Sequence, residues 1–290
     1  MTRFFEGPSK GPSSLEALME SAARMGRTSE LQNLLGMAPS GEAGHLIRSI
    51  EAAVCGGATK SLGMLLAHNA KLAKPWPLEE LGVADAMEAA LFRKDDDLVE
   101  AFAAHGAAGL TTVKGNMTPL MVAAVHDAPE CFDKLLAAGA DPSIVIDGVN
   151  AVFWAALGSD ACLERLARLV DVKTACCGQY TPLMVSACFV GASSGRGNPK
   201  ACKLLAPVSD IGAVNEDGRT ALMLAVKEGA WDCADILEPL GGELCLAADA
   251  GPAVEKAKAA GREDWASRLE RLAMEEFVAG AGAKAQRPRL

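Results

Sequence analysis

Short apolar segments alternate with short polar breaks along most of this chain, and the pattern is plainest at residues 116–143. Thr118 can cap a helix with its hydroxyl, and Pro119 fits the first helical position. The apolar segment that follows contains the small pair Ala123-Ala124, and a second apolar segment runs up to Gly139. Glycine suits the left-handed residue just beyond a helix C-terminus. The stretch therefore predicts a helix–turn–helix unit with a further turn at its end.

The opening of this unit recurs along the chain. Thr118, Asn150, Thr181 and Thr220 occupy the same place in their segments and follow one another at intervals of 32, 31 and 39 residues. All four are residue types that cap helices. A period of this length predicts stacked units, because one such unit cannot bury its own apolar side.

Residues 113–240 resemble the ankyrin repeat family. The resemblance rests on Thr181-Pro182-Leu183, on Asp217-Gly218-Arg219-Thr220 and on Gly139-Ala140-Asp141, which match the family's turn and helix motifs. The histidine that usually follows the family's Thr-Pro-Leu is replaced by methionine, and we expect packing to replace the hydrogen bond between repeats. These methionines are Met121, Met184 and Met223. The resemblance implies an all-α, ankyrin-type helical repeat solenoid with short β-hairpin-like turns.

The predicted array extends beyond the clear repeats in both directions. Weakened versions of the pattern fill residues 15–112, clear repeats fill 113–240, and two capping helices fill 242–278, so the whole array spans 15–278 and holds seven or eight helix pairs. Residues 1–14 are predicted to be a disordered N-terminal tail and 279–290 a disordered basic tail. Residues 191–199 expand the break between two helices into a Gly- and Ser-rich loop.

Composition narrows the possible functions. The net charge of −9 argues against a general nucleic-acid binder, which needs a basic surface. No apolar run reaches the roughly 18–20 residues of a membrane span, so no membrane partner is expected. The nine cysteines are odd in number and lack Cys-x-x-Cys spacing, which is typical of reduced thiols in a cytoplasmic protein. A zinc site at Cys176, Cys177, Cys188 and Cys202 is disfavoured, because adjacent cysteines rarely bind one zinc ion and no histidine accompanies them.

Catalytic motifs are missing from the sequence. It contains no Gly-x-Ser-x-Gly, phosphate-loop or His-Glu-x-x-His motif. His126 stands next to Asp127, but a catalytic pair also needs a nucleophile, and none is indicated. We therefore predict that the protein is not an enzyme and uses no cofactor, metal ion or catalytic residue. Enzymatic thiol chemistry stays as an alternative that thiol labelling can test.

The family resemblance also implies where a partner would bind. In ankyrin-like arrays the turns and the first helix of each pair line a concave groove, and the variable groove positions of the family can be carried over to this chain. The predicted partner-binding residues are Lys114, Met117, Val125, His126, Val149, Leu157, Tyr180, Phe189, Glu216, Arg219, Lys227 and Glu228.

Two interpretations of the apolar members stay open at this point. Met117, Val149, Leu157, Tyr180 and Phe189 either form an exposed strip that receives a protein segment or pack between neighbouring turns. The predicted function is a non-catalytic scaffold or adaptor that binds another protein, with a regulatory subunit or enzyme inhibitor as the alternative. A monomer is expected unless the strip self-associates.

Overall fold

A computed structural model describes residues 14–38, 44–72, 75–78, 81–107, 116–170, 180–188, 190–191, 195–240 and 250–285. These residues belong to two compact units, Met1–Ile144 and Val145–Leu290. Both units are built almost entirely of short helices.

The unit Met1–Ile144 contains four helix pairs among its described residues. Their bounds are α1 Ser14–Arg24, α2 Thr28–Met37, α3 Gly44–Cys55, α4 Thr59–Lys71, α5 Val83–Phe92, α6 Asp96–Ala104, α7 Pro119–Val125 and α8 Pro129–Ala137. The first helices pack in a row, α1 on α3, α3 on α5 and α5 on α7. The second helices form a parallel row from α2 through α4 and α6 to α8. Each pair thus buries its apolar side against its neighbours, as expected of a repeat array.

The unit Val145–Leu290 repeats this plan. Its described helices are α9 Ala151–Gly158, α10 Asp160–Leu166, α11 Pro182–Cys188, α12 Pro199–Leu205, α13 Ala221–Glu228, α14 Trp231–Leu237, α15 Ala250–Ala259 and α16 Glu263–Ala285. The first helices α9, α11, α13 and α15 stack in order, as do the second helices α10, α12 and α14. Helix α16 packs on α15. The predicted all-α repeat fold is confirmed in both units.

Strand structure is limited to turns among the described residues. β1 Val190–Gly191 pairs antiparallel with β2 Gly195–Arg196 inside the expanded break. Ile146 and Val149 exchange both backbone hydrogen bonds at 2.9 Å, which makes a small hairpin before α9. Two short 3-10 helices, Ala206–Val208 and Glu238–Leu240, end the second helices before them.

The predicted helix caps are present at the starts of the clear repeats. The side chains of Thr118, Asn150, Thr181 and Thr220 each accept a hydrogen bond from the amide three residues later, at 3.1–3.3 Å. All four side chains are buried, so their oxygens also need this partner. The methionines that replace the family's histidine behave as expected at Met121 and Met184, which are buried.

One turn recurs at the end of six first helices. In each, an amide donates to the carbonyl of a buried alanine five residues earlier, which is the longer bond of a Schellman motif. The six alanines are Ala22, Ala53, Ala90, Ala123, Ala225 and Ala257. The residue before each donating amide has a positive φ, and it is glycine in four turns but Lys94 and Asp127 in the other two. We call these six alanines the anchor alanines, because they align the repeats independently of the helix starts.

The C-terminal prediction needs one correction. Helix α16 runs to Ala285, so residues 279–285 are helical and not a disordered tail. Alanine occupies every second position from 279 to 285, and two of the positions between are glycine. The high helix propensity of alanine outweighs the low propensity of the two glycines. Residues 1–13 and 286–290, the other parts of the predicted tails, lie outside the described residues.

Candidate functional site

The predicted groove residues of the unit Met1–Ile144 lie at the two ends of α7. Met117 is half-buried just before the capping residue, and Val125 and His126 are half-buried at the C-terminal end. The His126 ring meets the edge of the Phe92 ring from the preceding first helix, with centroids 5.2 Å apart and planes at 82°. Lys114 lies outside the described residues. The structure therefore links the predicted position His126 to a residue that the prediction did not include.

The apolar positions of the unit Val145–Leu290 are only partly accessible. Leu157 and Tyr180 are half-buried, and Phe189 lies outside the described residues. Val149 is 9% exposed, which contradicts its place in an exposed strip. Its backbone is paired with Ile146 in the small hairpin, and its side chain is turned into the unit. For Val149, packing is thus the correct interpretation.

The charged positions of the same unit lie on the turn before α13 and at its end. Glu216 is exposed, and Arg219 is half-buried with its guanidinium 3.1 Å from Asp217. Lys227 and Glu228 end α13, where the Lys227 carbonyl accepts a hydrogen bond from the Lys256 ammonium at 2.5 Å. Arg219 is thus held by its ion pair within the turn, and the end of α13 is held by its hydrogen bond to Lys256 of α15.

The anchor alanines identify equivalent positions that the sequence comparison missed. The second and third residues after the anchor are Val125 and His126 in α7, and Lys227 and Glu228 in α13, which are all predicted groove residues. In the three earlier pairs the same two positions are Arg24 and Met25, Cys55 and Gly56, and Phe92 and Arg93. All six of these earlier residues are exposed.

The sequence prediction carried groove positions over to the clear repeats only. The small pairs Ala52-Ala53 and Ala89-Ala90 look equivalent to Ala123-Ala124, which would set the first residue of each pair equal to Ala123. The turn instead makes Ala53 and Ala90 the equivalents of Ala123, and Ala89 is exposed. The positive-φ residue four positions after the anchor would have given the correct register, but Lys94 and Asp127 hide it in two repeats.

A cleft of about 430 Å³ opens between α3 and α5. Its walls are mainly apolar and come from Val54, Ala86, Ala89 and Phe92. Phe92 is 68% exposed, which is unusual for a large aromatic side chain and places it at the mouth of the cleft. A second cleft of about 370 Å³ lies between α1 and α3 and shares Cys55 with the first.

Carboxylates line the polar part of the larger cleft. Glu51, Asp85 and Glu88 contribute to its lining, together with Arg93 and Cys55. Glu51 and Glu88 stand two residues before their anchor alanines, as Glu20 does in α1. The clear repeats carry Met121 and Met223 at this position. The three early pairs thus carry glutamate at the position where these clear repeats carry methionine.

The electrostatic environment of Glu51 reflects these acidic side chains. Burial raises the pKa of the Glu51 carboxyl above its ordinary value, and the nearby Asp85 and Glu20 carboxylates raise it further. Arg48 lowers it in part, but Arg48 also lies 3.6 Å from Glu16 and 3.9 Å from Glu20. The carboxylates therefore outweigh the one arginine at this point of the surface.

Arg93 has its own partners. Its Nη1 donates to the carbonyl of Val54 at 2.6 Å, and its Nη2 lies 3.6 Å from Asp95. The Val54 carbonyl lies in the last turn of α3, where it also accepts a hydrogen bond from the Gly57 amide at 3.1 Å. Arg93 therefore joins two consecutive pairs, and its guanidinium does not enter an ion pair with the three cleft carboxylates.

The cysteines give little indication of chemistry. Burial raises the pKa of the Cys131 and Cys188 thiols to about 11, which keeps them protonated and weakly nucleophilic. Cys162, Cys202 and Cys233 are buried, whereas Cys55 is exposed. Cys176, Cys177 and Cys245 lie outside the described residues. Within the described part of the chain, no three His, Cys, Asp or Glu side chains are grouped as metal ligands would be.

Comparison with known families decides the identity of the repeat. The family model of the ankyrin repeat matches residues 115–146, which include α7, α8 and the turn that follows them. The chain therefore contains an ankyrin repeat at these residues. No curated protein matches the chain in a sequence search. Ankyrin repeats generally mediate protein–protein interactions, and the family is typically non-catalytic.

No helix within the described ranges is both long and apolar enough to cross a lipid bilayer.

Proposed function

We propose that this ankyrin repeat protein is a non-catalytic scaffold or adaptor that binds a segment of another protein. The binding surface is formed by the exposed ends of the first helices and by the turns beside them. The cytoplasmic location and the monomeric state predicted from the sequence are part of the same proposal.

The observation that carries the proposal is the variation in side chain at the second and third positions after each anchor alanine. The backbone there is the same in six turns, and the alanine is buried in each. In the unit Met1–Ile144 the side chains, in contrast, range from Arg24 and Met25 through Phe92 to Val125 and His126. Within this unit, a constant backbone that presents unlike side chains in a row can recognise an extended or helical segment one side chain at a time.

A pull-down with the full chain tests the predicted positions. Replacement of Tyr180 and Phe189 together by serine removes two aromatic groups that would anchor a partner. Leu169→Ser is the control, because Leu169 is an exposed apolar residue on the turn after α10. We expect partner recovery to fall at least tenfold for the double variant only, with circular dichroism unchanged. Equal recovery for all three proteins would exclude these two positions from the binding surface.

The same experiment addresses the inhibitor alternative. If the recovered partner is an enzyme, its activity should be measured with and without the purified chain. Loss of activity on addition of the wild-type chain, and not of the double variant, would favour a regulatory subunit over a scaffold.

A further inference from the structure

The cleft between α3 and α5 has walls and charges that fit one kind of side chain. We propose that it receives an arginine or lysine side chain from an otherwise apolar segment of a partner protein. This inference rests on the proposed function and adds the chemical class of the partner and the place where it binds.

The dimensions of the cleft suit a long side chain with its immediate neighbours. A volume of about 430 Å³ lies within the range of sites that bind small organic groups. Val54, Ala86 and Ala89 form an apolar wall against which the methylene groups of an arginine or lysine would pack. The Phe92 ring, exposed at the mouth, offers a face to a cation or to a neighbouring apolar residue.

The charges of the cleft select a cation. Arg93 is the basic residue among those that line this cleft, and its guanidinium donates to the Val54 carbonyl. Arg24 and Arg48 line the neighbouring cleft, which Glu51 also borders. None of the three cleft carboxylates (Glu51, Asp85 and Glu88) forms an ion pair with a described basic side chain. In the second-helix row of the same unit, by comparison, Lys134 lies 3.0 Å from Asp96 and 2.7 Å from Glu100. The acidic groups of that row thus share an ion-pair partner within the chain, whereas the three cleft carboxylates have no such ion pair among the described residues.

The direction of the helices adds to this preference. Helices α3 and α5 end at Cys55 and Phe92, and both of these residues line the cleft, which also extends along α5 to Asp85 in its first turn. The C-terminal end of a helix carries partial negative charge and attracts cations. The helix ends, the carboxylates and the apolar walls thus all favour a basic side chain with an apolar stem.

The test begins with a displayed library of random twelve-residue peptides selected on the full-length chain. Parallel selections use the wild-type protein, the Glu51→Gln/Glu88→Gln variant and the control Glu255→Gln. Glu255 is exposed and stands two residues before the anchor Ala257, so the control removes a charge from the equivalent place in another repeat. Circular dichroism confirms the fold of each protein.

We expect the wild type and the control to enrich peptides with an arginine or lysine beside an apolar residue. The strongest peptide should bind the double variant at least tenfold more weakly, and so should the wild type when glutamine replaces the peptide's basic residue. The peptide should also slow maleimide labelling of Cys55, which lines the cleft and is exposed.

Three results would overturn the inference: no enrichment, enrichment without a basic residue, or equal binding to the double variant. If a partner protein nevertheless binds through Tyr180 or the end of α13, the proposed function stands and only the cleft assignment fails. If no first-helix position affects the binding of any partner, the proposed function fails as well.

Discussion

The early helix pairs share their turn with two of the clear repeats but differ from all of them in how the first helices begin. The first helices α7, α9, α11 and α13 start at a buried Thr or Asn that caps the helix. Helix α5 instead starts after Gly82, which has φ +66° and no capping side chain. Helices α1, α3 and α5 of the early pairs and α7 and α13 of the clear repeats end with an anchor alanine and a positive-φ residue, whereas α9 and α11 do not within the described part of the chain. The end of the first helix therefore links α7 and α13 to the early pairs, which the helix starts do not.

The comparison also separates packing from recognition. The early first helices contain 10 to 12 residues, whereas α7, α9, α11 and α13 contain seven or eight. The longer helices carry glutamate where Met121 and Met223 stand in the clear repeats. Loss of the sequence motif thus accompanies a gain of charged surface, while the buried positions keep their small residues.

The largest expected effect tests how closely consecutive turns approach each other. A Cβ atom on Gly56 would lie 2.0 Å from the carbonyl oxygen of Arg24 in the preceding turn. We expect Gly56→Ala to lower the free energy of unfolding by about 3 kcal/mol, because the two backbones must separate. Gly63 in α4 has no atom within 4 Å of its Cβ position, and Gly63→Ala should stabilise the protein by up to about 1 kcal/mol. Urea denaturation measures both, and a similar loss in both variants would contradict the close approach.

Thiol labelling compares the exposed end of an early first helix with the core of a clear repeat. The pKa of Cys131 is raised to about 11, mainly by burial, from an ordinary value of 9.0. At neutral pH its thiolate fraction is therefore about a hundredfold below that of an ordinary cysteine. We expect maleimide to modify Cys55 first and Cys131 on the order of a hundredfold more slowly, as followed by peptide mapping. Modification of Cys131 as fast as Cys55 would mean that the core of α8 opens readily.

The caps supply a smaller effect. Thr220→Ala removes the oxygen that accepts from the Met223 amide at 3.3 Å and should cost about 1 kcal/mol. Thr220→Ser keeps the oxygen and should cost less than half as much. Equal loss for both variants, measured by thermal or urea unfolding, would assign the role of Thr220 to packing of its methyl group.

The smallest effect concerns Glu51. Its folded-state pKa is raised, first by burial and then by Asp85 and Glu20, so the folded state binds this proton more tightly than the unfolded state. Ionisation of Glu51 therefore reduces stability at neutral pH, and this loss disappears as the pH falls through the raised pKa. We expect Glu51→Gln to gain at most about 0.5 kcal/mol at pH 7, because the group is partly solvated, and to gain nothing at pH 4.

Glu255→Gln should show no gain at either pH. A destabilised Glu51→Gln variant would show instead that the carboxylate has a favourable partner in the folded protein.

Much of the fold could be predicted from the sequence, because capping residues and apolar periodicity are local signals. Thr118, Asn150, Thr181 and Thr220 located the clear repeats correctly. The cleft could not be predicted in the same way. Helix α5 has no capping side chain, and Lys94 occupies the positive-φ position where glycine would have marked the turn. The sequence could not decide whether Val149 is buried, because the small hairpin with Ile146 depends on backbone pairing, which side-chain patterns do not report.

Site-specific photocrosslinking tests the central claim most directly. A photoreactive amino acid would replace Phe92 at the end of α5 or, as a control, Asn33, which is exposed on the second helix α2. We predict that native cell extract yields a specific crosslinked partner from position 92 and not from position 33. We also predict that addition of the selected basic peptide abolishes this crosslink. Equal crosslinking from both positions, or none from position 92 with a partner still bound, would contradict recognition by the first helices of this unit.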